Sequence, residues 1–295
     1  MGKPMAKNML KSGASVTVNS ATGSAYDEMK SAGAETASQL ADLKKSDILF
    51  LSLPGDQVVQ QVLFGAHGIA KHLGRGQIVV DTSTTSYSAT LENSKALGEL
   101  GVEFLDAPVS GMEARAIAGT LTVVCGGKED AFYIVKPYLE CIADKILYMG
   151  VAGSGQLTKL INQLLFDINC AALAEVLPLA VRLDLDPDKV GELVNSGTGR
   201  SYASEFFIRR IVNDVFSSGY PMKHAYKDLV SGVEIGAKFC IPMPVLAAAM
   251  STYQAALLKG WGDLDKGAMI KVFEDLLNVK FRTRVMTTAM ERTAN

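Results

Sequence analysis

The chain has 295 residues, of which 48% are hydrophobic and 20% are charged, and its formal net charge is -2. Lysine and arginine are spread among nearly equal numbers of aspartate and glutamate, so no basic face for nucleic acid is expected. Uninterrupted apolar runs stay below the ~18 residues of a membrane span, and Lys3, Lys7 and Lys11 make the start unlike a secretory signal. We therefore expect neither nucleic-acid nor membrane partners.

The cysteines indicate a reducing environment. Cys125, Cys141, Cys170 and Cys240 lie far apart in apolar stretches and form no C-x-x-C pair. This pattern favours buried free thiols over disulfides or metal ligation. We expect a cytoplasmic protein, with an organellar location left open.

The first 150 residues predict a doubly wound α/β domain. MGKPMAKNML predicts a helix that ends before Gly13, and a strand follows it. Helical stretches then alternate with short runs rich in Val, Ile and Leu, typical of strands buried on both faces of a mainly parallel sheet. The expected strands lie in 16–18, 47–53, 77–83, 102–108, 120–127 and 145–150. Together they predict a Rossmann-type domain over 1–150.

The sequence changes character after residue 150. From GSGQLTKL onward about thirty residues are apolar almost all round, and strand patterns disappear. A helix with so little polar surface is normally buried in a bundle or between subunits. We predict an all-helical domain over 151–281 around one long central helix, with a homodimer or homotetramer formed through it. The polar segment 282–295 is predicted to be a loosely held tail.

Five blocks in a fixed order carry a family resemblance. They are MGKPMAKNML, DTST at 81–84, DAPVSG with GTL at 106–111 and 119–121, GSGQLTKLINQ at 153–163, and KDL at 227–229. From Met1 to about Phe281 the chain resembles the β-hydroxyacid dehydrogenases, the family of 3-hydroxyisobutyrate dehydrogenase and tartronate semialdehyde reductase. The resemblance implies a 6-phosphogluconate dehydrogenase-like domain and hydride transfer between NAD or NADP and a small β-hydroxy acid or its semialdehyde. Substrates of the 3-hydroxyisobutyrate, glycerate or tartronate semialdehyde, and threonate types all stay open.

The start of the chain departs from this family. Its members begin with a strand and a G-x-G-x-M-G turn, of which only Met1 and Gly2 remain here. We therefore expect a sheet whose first strand is missing, through a misassigned start or a real truncation. Five buried aliphatic side chains would account for roughly 8 to 15 kcal/mol of stability.

Cofactor contacts are expected where strands end. Leu53 and Pro54 follow one predicted strand and Thr84 follows the next, and by resemblance all three line the cofactor. An ordinary turn and a helix N-cap are the structural alternatives. Asn19 and Ser20 stand where a strict NAD enzyme places a carboxylate for the ribose, which favours NADP slightly, although no arginine is present to hold a 2'-phosphate.

The DAPVSG turn is the expected substrate site. Ser110 and Gly111 are small residues that expose backbone N–H groups suited to a carboxylate. Met112 replaces the second glycine that is usual in the family, which narrows the pocket or tilts the turn. Arg115 is a candidate contact for a hydroxylated acid, and a solvated surface arginine is the alternative.

Lys159 is the expected catalytic residue. It lies among apolar neighbours near the start of the long helix, where desolvation and the helix dipole both lower the pKa of an amine. By itself the pattern also describes a lysine that extends from a core helix to solvent, but the family's catalytic lysine falls on this position. Asn162 and Gln163 follow on the same helical face and are expected to orient lysine or substrate.

Two further candidate site residues lie in the predicted helical domain. Lys227 in KDL matches a second family lysine that reaches the cofactor, with a surface ion pair as the alternative. Ser201 in SGTGRS is a candidate substrate contact or part of a plain interhelical turn. Two other functions stay open: a non-catalytic, truncated homologue, and an imine reductase on the same architecture, against which Lys159 and DAPVSG argue.

Overall fold

A computed structural model describes residues 1–283 of the chain. It divides into two compact units, Met1–Lys159 and Leu160–Asn295. Most of the predicted tail lies outside the described residues. Its first residue, Arg282, is held by ion pairs with Glu274 and Asp214.

The first unit alternates strands and helices as the apolar runs predict. Its strands are β1 (Thr17–Val18), β2 (Glu35–Thr36), β3 (Ile48–Leu51), β4 (Ile78–Asp81), β5 (Glu103–Asp106), β6 (Val109–Ser110), β7 (Leu121–Gly126) and β8 (Ala143–Gly150). Its helices are α1 (Gly2–Lys11), α2 (Tyr26–Ser31), α3 (Asp56–Phe64), α4 (Tyr87–Glu99), α5 (Met112–Ala118) and α6 (Glu129–Glu140), with short 3-10 turns at Leu40–Lys45 and Ala70–His72. Strands β2 and β6 were not predicted, because two residues are too few to show a hydrophobic pattern of their own.

The main sheet has six strands in a mainly parallel arrangement. Strands β3, β4 and β5 are parallel and in register, so that Leu51, Asp81 and Asp106 end side by side. Both β5 and β6 pair antiparallel with β7, and β8 runs parallel to β7. Val79 and Val80 are each fully buried but belong to different apolar cores. Successive strand residues face opposite sides, so the sheet is covered on both faces, as continuous apolar runs require.

A second, two-stranded parallel sheet is formed by β1 and β2. In the usual doubly wound order, the strand that precedes the first helix lies between the positions of β1 and β3. Among residues 1–283, β1 pairs only with β2 and β3 only with β4. Val18, Ile48 and Phe50 are accordingly only half-buried, whereas the β4 residues are buried throughout.

The second unit is helical. The 29-residue helix α7 (Ser154–Arg182) begins in the first unit and continues into the second, followed by α8 (Pro187–Ser196), α9 (Tyr202–Val212), α10 (Met222–Lys238), α11 (Pro244–Leu258) and α12 (Ile270–Leu277). A 3-10 turn at Lys266–Met269 precedes α12. Helix α7 is long and apolar enough to cross a membrane by length and composition alone, a test that the central helix of a globular protein also passes.

The cysteine prediction is partly wrong. All four thiols are free, but only Cys125 and Cys170 are buried, while Cys141 is half-buried and Cys240 is exposed. Cys240 follows α10 with a φ of 55°. The apolar run around it ends at the surface of the helical unit, and local hydrophobicity alone does not reveal that.

Candidate active site

The candidate site of the first unit lies at the carboxyl ends of β3, β4 and β5. The loop after β3 is tied to the loop after β4, because the Leu53 N–H donates to Ser83 Oγ at 2.9 Å. The Ser86 N–H donates to Asp56 Oδ1 at 2.8 Å, which joins the same two loops again. Leu53, Pro54 and Thr84 therefore share one edge of the sheet, where doubly wound folds bind their ligands.

Lys159 is held against this edge. Its Nζ donates to Thr84 Oγ1 at 2.7 Å and to the Val109 carbonyl at 2.8 Å. The lysine is half-buried and lies in the second turn of α7. The structure thus brings the predicted catalytic lysine to a predicted cofactor residue and to the DAPVSG segment, which are 75 and 50 residues away in sequence.

Two residues without a predicted role hold the start of α7. Asp106 is fully buried, and its carboxylate accepts the Gly153 N–H at 2.7 Å and the Gln156 N–H at 2.8 Å. The Gln156 side chain donates to the Ser83 carbonyl at 2.7 Å and accepts the Thr85 N–H at 3.3 Å. Two sequence features could have indicated these roles: Asp106 is a carboxylate at the end of a buried strand, and Gln156 directly follows the GSG segment at the helix start.

The predicted substrate turn is strained at one residue. Gly111 has a φ of 138°, which favours glycine, and Met112 follows with a φ of 61° and an exposed side chain. A long side chain in the left-handed region is uncommon. Met112 therefore has a left-handed backbone conformation that a glycine at this position would adopt without strain.

Arg115 engages a surface partner. Its guanidinium donates to Asp144 at 3.1 Å, and both side chains are substantially exposed. The structure therefore places Arg115 in a surface ion pair, and its contact with substrate stays a prediction.

The start of α1 approaches the end of β3. A Cβ atom on Gly2 would lie 3.2 Å from Ser52 Cβ, and the exposed Met1 caps the helix without a side-chain hydrogen bond. The first N–H groups of a helix have no intrahelical partner and attract anions. This helix start therefore suits a phosphate group.

At the end of β1, Asn19 Nδ2 donates to the Ala37 carbonyl at 2.9 Å, and the Ser20 N–H donates to Tyr26 Oη at 3.0 Å. Residues 19–24 contain no carboxylate. The loop is thus ordered by neutral groups, and neither NAD nor NADP is disfavoured by charge.

The remaining predicted residues belong to the second unit. Asn162 and the half-buried Gln163 lie in α7, where Asn162 Nδ2 donates to the side-chain oxygen Oε1 of Gln163 at 3.5 Å. Lys227 lies exposed in α10. Ser201 caps α9, accepting the Ser204 N–H at 3.2 Å. A structural role is therefore visible for Ser201, and the ligand contacts of all four stay predictions.

A doubly wound sheet, a helix start suited to phosphate and a lysine at the strand ends define a nicotinamide-dependent dehydrogenase. Residues 1–150 match the NAD binding domain of 6-phosphogluconate dehydrogenase. Residues 153–273 match the NAD-binding domain of NADP-dependent 3-hydroxyisobutyrate dehydrogenase. The chain belongs to the β-hydroxyacid dehydrogenase family.

Individual relatives align with this chain over nearly their whole length. The chain is 36% identical to 2-(hydroxymethyl)glutarate dehydrogenase of Eubacterium barkeri, over 95% of this chain and 93% of the relative. It is 33% identical to 2-hydroxy-3-oxopropionate reductase of Escherichia coli, over 95% and 96%. The crystal structure of 3-hydroxyisobutyrate dehydrogenase from Salmonella typhimurium superposes with a TM-score of 0.80 at 29% identity, covering 92% of this chain and 96% of that one.

Imine reductases share the fold at greater distance. The enzyme from a Pseudomonas species gives a TM-score of 0.56 at 18% identity, over 92% of this chain and 96% of that one. At that identity the similarity concerns the fold alone. The family assignment therefore rests on the hydroxyacid dehydrogenases.

Proposed function

We propose that this enzyme interconverts a small β-hydroxy acid and its semialdehyde, with Lys159 as the proton relay. The observation that carries the proposal is the position of Lys159 Nζ, bonded to Thr84 and Val109 at the carboxyl edge of the sheet. A proton-transfer group must lie within hydrogen-bond reach of the reacting oxygen. Val109, whose carbonyl accepts from Lys159 Nζ, directly precedes Ser110 and Gly111, the proposed carboxylate cradle.

The residues of the first unit suit a dinucleotide. The start of α1 at Gly2 would hold phosphate, while Leu53, Pro54 and Thr84 would line the nicotinamide end. When bound there, a nicotinamide would supply the hydride acceptor for oxidation and the hydride donor for reduction. In oxidation, the neutral Lys159 amine would take the proton from the hydroxyl oxygen as the hydride leaves the carbon that bears this hydroxyl. In reduction, the Lys159 ammonium returns that proton to the carbonyl oxygen.

The relatives support the substrate class. 2-(Hydroxymethyl)glutarate, 2-hydroxy-3-oxopropionate and 3-hydroxyisobutyrate are named for relatives of this chain. In each compound the hydroxyl or carbonyl carbon that reacts is β to a carboxylate. We propose that Ser110 and Gly111 bind this carboxylate and that Asn162 and Gln163 orient the substrate. Both NAD and NADP are retained as cofactors, with NADP slightly favoured by the absence of a carboxylate in 19–24.

Replacement of the lysine tests the proposal. We expect Lys159→Ala to lower turnover by roughly 10²- to 10⁴-fold with little change in cofactor affinity, because only the proton relay is lost. Lys159→Arg should also be slow, because arginine stays protonated and cannot accept the proton. Lys136→Ala, at a lysine of α6 whose side chain is 44% exposed, is the matched control. Near-normal turnover of Lys159→Ala would refute the role of the lysine.

We also propose that the helical unit pairs with a second copy of the chain. Helix α7 exposes the apolar side chains of Leu165, Val176 and Leu179, and Leu183 directly follows its last residue. Each of the four is more than half exposed, and their spacing places them on one side of the helix. They form one stripe along the helix, and an apolar surface of this kind marks an interface.

Light scattering tests this pairing. We expect a mass of two or four times 31.4 kDa, and a lower mass when Leu179 and Leu183 are both replaced by Glu. The Ile117→Glu control changes an exposed apolar residue of the first unit and should keep the assembly intact. A wild-type monomer at micromolar concentration would contradict the proposal.

A further inference from the structure

The start of α7 lacks a cap of its own. The residue before the helix is Gly153, with a φ of 90°, and a glycine has no side-chain oxygen for the first N–H groups. A Cβ atom at Gly153 would lie 2.6 Å from the Tyr87 ring, so no larger residue fits there without a shift. Helices normally satisfy these N–H groups with Ser, Thr, Asp or Asn at the N-cap. Here another part of the chain has to supply the acceptor.

Asp106 supplies it from the end of β5. Its two carboxylate oxygens accept the N–H groups of Gly153 and Gln156. This is the pattern of an N-cap carboxylate, delivered from a strand 47 residues earlier. Negative charge at a helix start is also favoured by the helix dipole. The carboxylate therefore attaches the helix directly to the sheet.

Glycines make the close approach possible. A Cβ atom on Gly155 would lie 2.5 Å from the Asp106 carbonyl oxygen, and one on Gly126 would lie 2.6 Å from Asp106 Oδ1. The carboxylate is thus enclosed by backbone, and burial raises the pKa of Asp106 to about 6, against the lowering effect of the Gln156 and Gly153 N–H groups. The neighbouring Cys125 remains a neutral thiol, because burial and the Asp106 charge raise its pKa to about 12.

The same turn of the helix carries Lys159. Gln156 is bonded to Asp106 through its backbone and to the 83–85 loop through its side chain. Lys159 follows three residues later, a rise of about 4.5 Å along the helix. Because the helix is rigid over one turn, the position of Lys159 Nζ beside Thr84 depends on where Asp106 holds Gln156.

We infer that Asp106 is the positioning residue for proton transfer by Lys159: its carboxylate fixes the start of α7 and supplies a negative charge there. The inference rests on the proposed role of Lys159. It predicts that replacing Asp106 lowers turnover and shifts the titration of Lys159, while the binding of substrate and cofactor changes little.

The first test is the neutral variant Asp106→Asn. We expect turnover to fall by about 10-fold, with KM for substrate and cofactor within about threefold of wild type, because a slightly displaced relay affects the transition state more than binding. In the pH–rate profile, the ionisation assigned to Lys159 should shift to a pH about half a unit lower. The reason is that the Asp106 charge no longer offsets the positive end of the helix dipole. A wild-type turnover and an unshifted ionisation would overturn the inference.

A matched control separates positioning from loss of a buried carboxylate. Asp265 in the second unit is also buried and accepts the N–H groups of Ser218, Gly219 and Gly267. Asp265→Asn should lower the melting temperature as Asp106→Asn does, but leave the ionisation assigned to Lys159 unchanged. If the two variants lower turnover equally and neither shifts this ionisation, Asp106 has only a structural role and the inference fails.

The double variant completes the test. Asp106→Asn should cost little further turnover in the Lys159→Ala background, because the relay it positions is already absent. Additive losses would overturn the inference. If Lys159→Ala alone keeps its turnover, the proposed proton relay is refuted instead, so the two failures are distinguishable.

Discussion

Each unit contains a buried aspartate whose carboxylate accepts hydrogen bonds from a different kind of donor. In the first unit, Asp106 is held by backbone N–H groups at a helix start. In the second unit, Asp167 is held by side chains: Lys266 Nζ donates to its Oδ1, and Tyr253 Oη donates to the same oxygen at 3.2 Å. Burial raises the pKa of both carboxyl groups to about 6.

The different hydrogen-bond donors indicate that Asp106 and Asp167 have different roles. The donors to Asp106 belong to the element that carries Lys159, so this carboxylate contributes to the geometry of the site. Asp167 and Lys266 are both almost inaccessible to solvent, and Lys266 Nζ also lies 4.1 Å from the centre of the Phe166 ring. Asp167 Oδ2 has no hydrogen-bond partner within residues 1–283. This pair therefore contributes to the core of the helical unit, at a considerable desolvation cost.

The largest effect is expected where one member of the buried pair is removed. Asp167→Ala leaves the Lys266 ammonium buried without its counter-ion, so the free energy of unfolding should fall by about 3 to 5 kcal/mol. The double variant Asp167→Leu, Lys266→Met replaces both charges with apolar groups and should recover most of that loss. Denaturant titration measures both. A loss below about 1 kcal/mol in Asp167→Ala would show that the pair is not stabilised as described.

A smaller effect is expected from the pH dependence of stability. The folded-state pKa of Asp106, about 6, lies above the ordinary value of 3.8. Between these values the folded chain binds more protons than the unfolded chain, so stability falls as the pH rises through this window and levels off above it. At about 1.4 kcal/mol per pKa unit, the change from this group is at most about 3 kcal/mol.

Asp106→Asn removes this contribution. The difference in unfolding free energy between wild type and variant should therefore depend on pH between about 4 and 6, while the contribution of Asp167 cancels. Denaturant titration at several pH values measures the difference. A difference that is constant across the window would contradict the assigned titration.

The smallest expected effect concerns backbone strain. Met112 in the first unit and Asp184 in the second both have a φ of 61°. Replacing Met112 by Gly should raise the free energy of unfolding by about 1 kcal/mol, because the left-handed conformation no longer strains a side chain. Asp184→Gly should give less, because aspartate tolerates this region better than methionine.

Kinetics separate the two positions. Met112→Gly should change KM for bulky hydroxy acids, whereas Asp184→Gly should not. Met112→Ala keeps the strained backbone but removes most of the side chain, so it distinguishes the two contributions of Met112. Identical substrate profiles for Met112→Gly and wild type would show that the side chain does not reach the substrate.

Some parts of the molecule follow from local sequence. The strands Ile48–Leu51, Ile78–Asp81 and Glu103–Asp106 were predictable because runs of Val, Ile and Leu bounded by turn residues suit a sheet buried on both faces. The long helix was predictable from its uninterrupted apolar character. Lys159 was recognisable from its place near a glycine-marked helix start and from the family motif. These features depend on neighbouring residues or on a short pattern.

The tertiary structure decided which remote residues meet. The bonds from Gly153 to Asp106, from Gln156 to Ser83 and from Lys266 to Asp167 join positions 47, 73 and 99 residues apart. No periodicity encodes such pairs, because a hydrogen bond depends on where whole elements pack and not on the residues beside it. The sequence by itself therefore determined the class of fold and identified Lys159 as the proposed proton relay. Only the folded chain determined that a carboxylate from β5 caps the helix carrying that lysine, because the Asp106 carboxylate oxygens must lie 2.7 and 2.8 Å from the backbone nitrogens of Gly153 and Gln156.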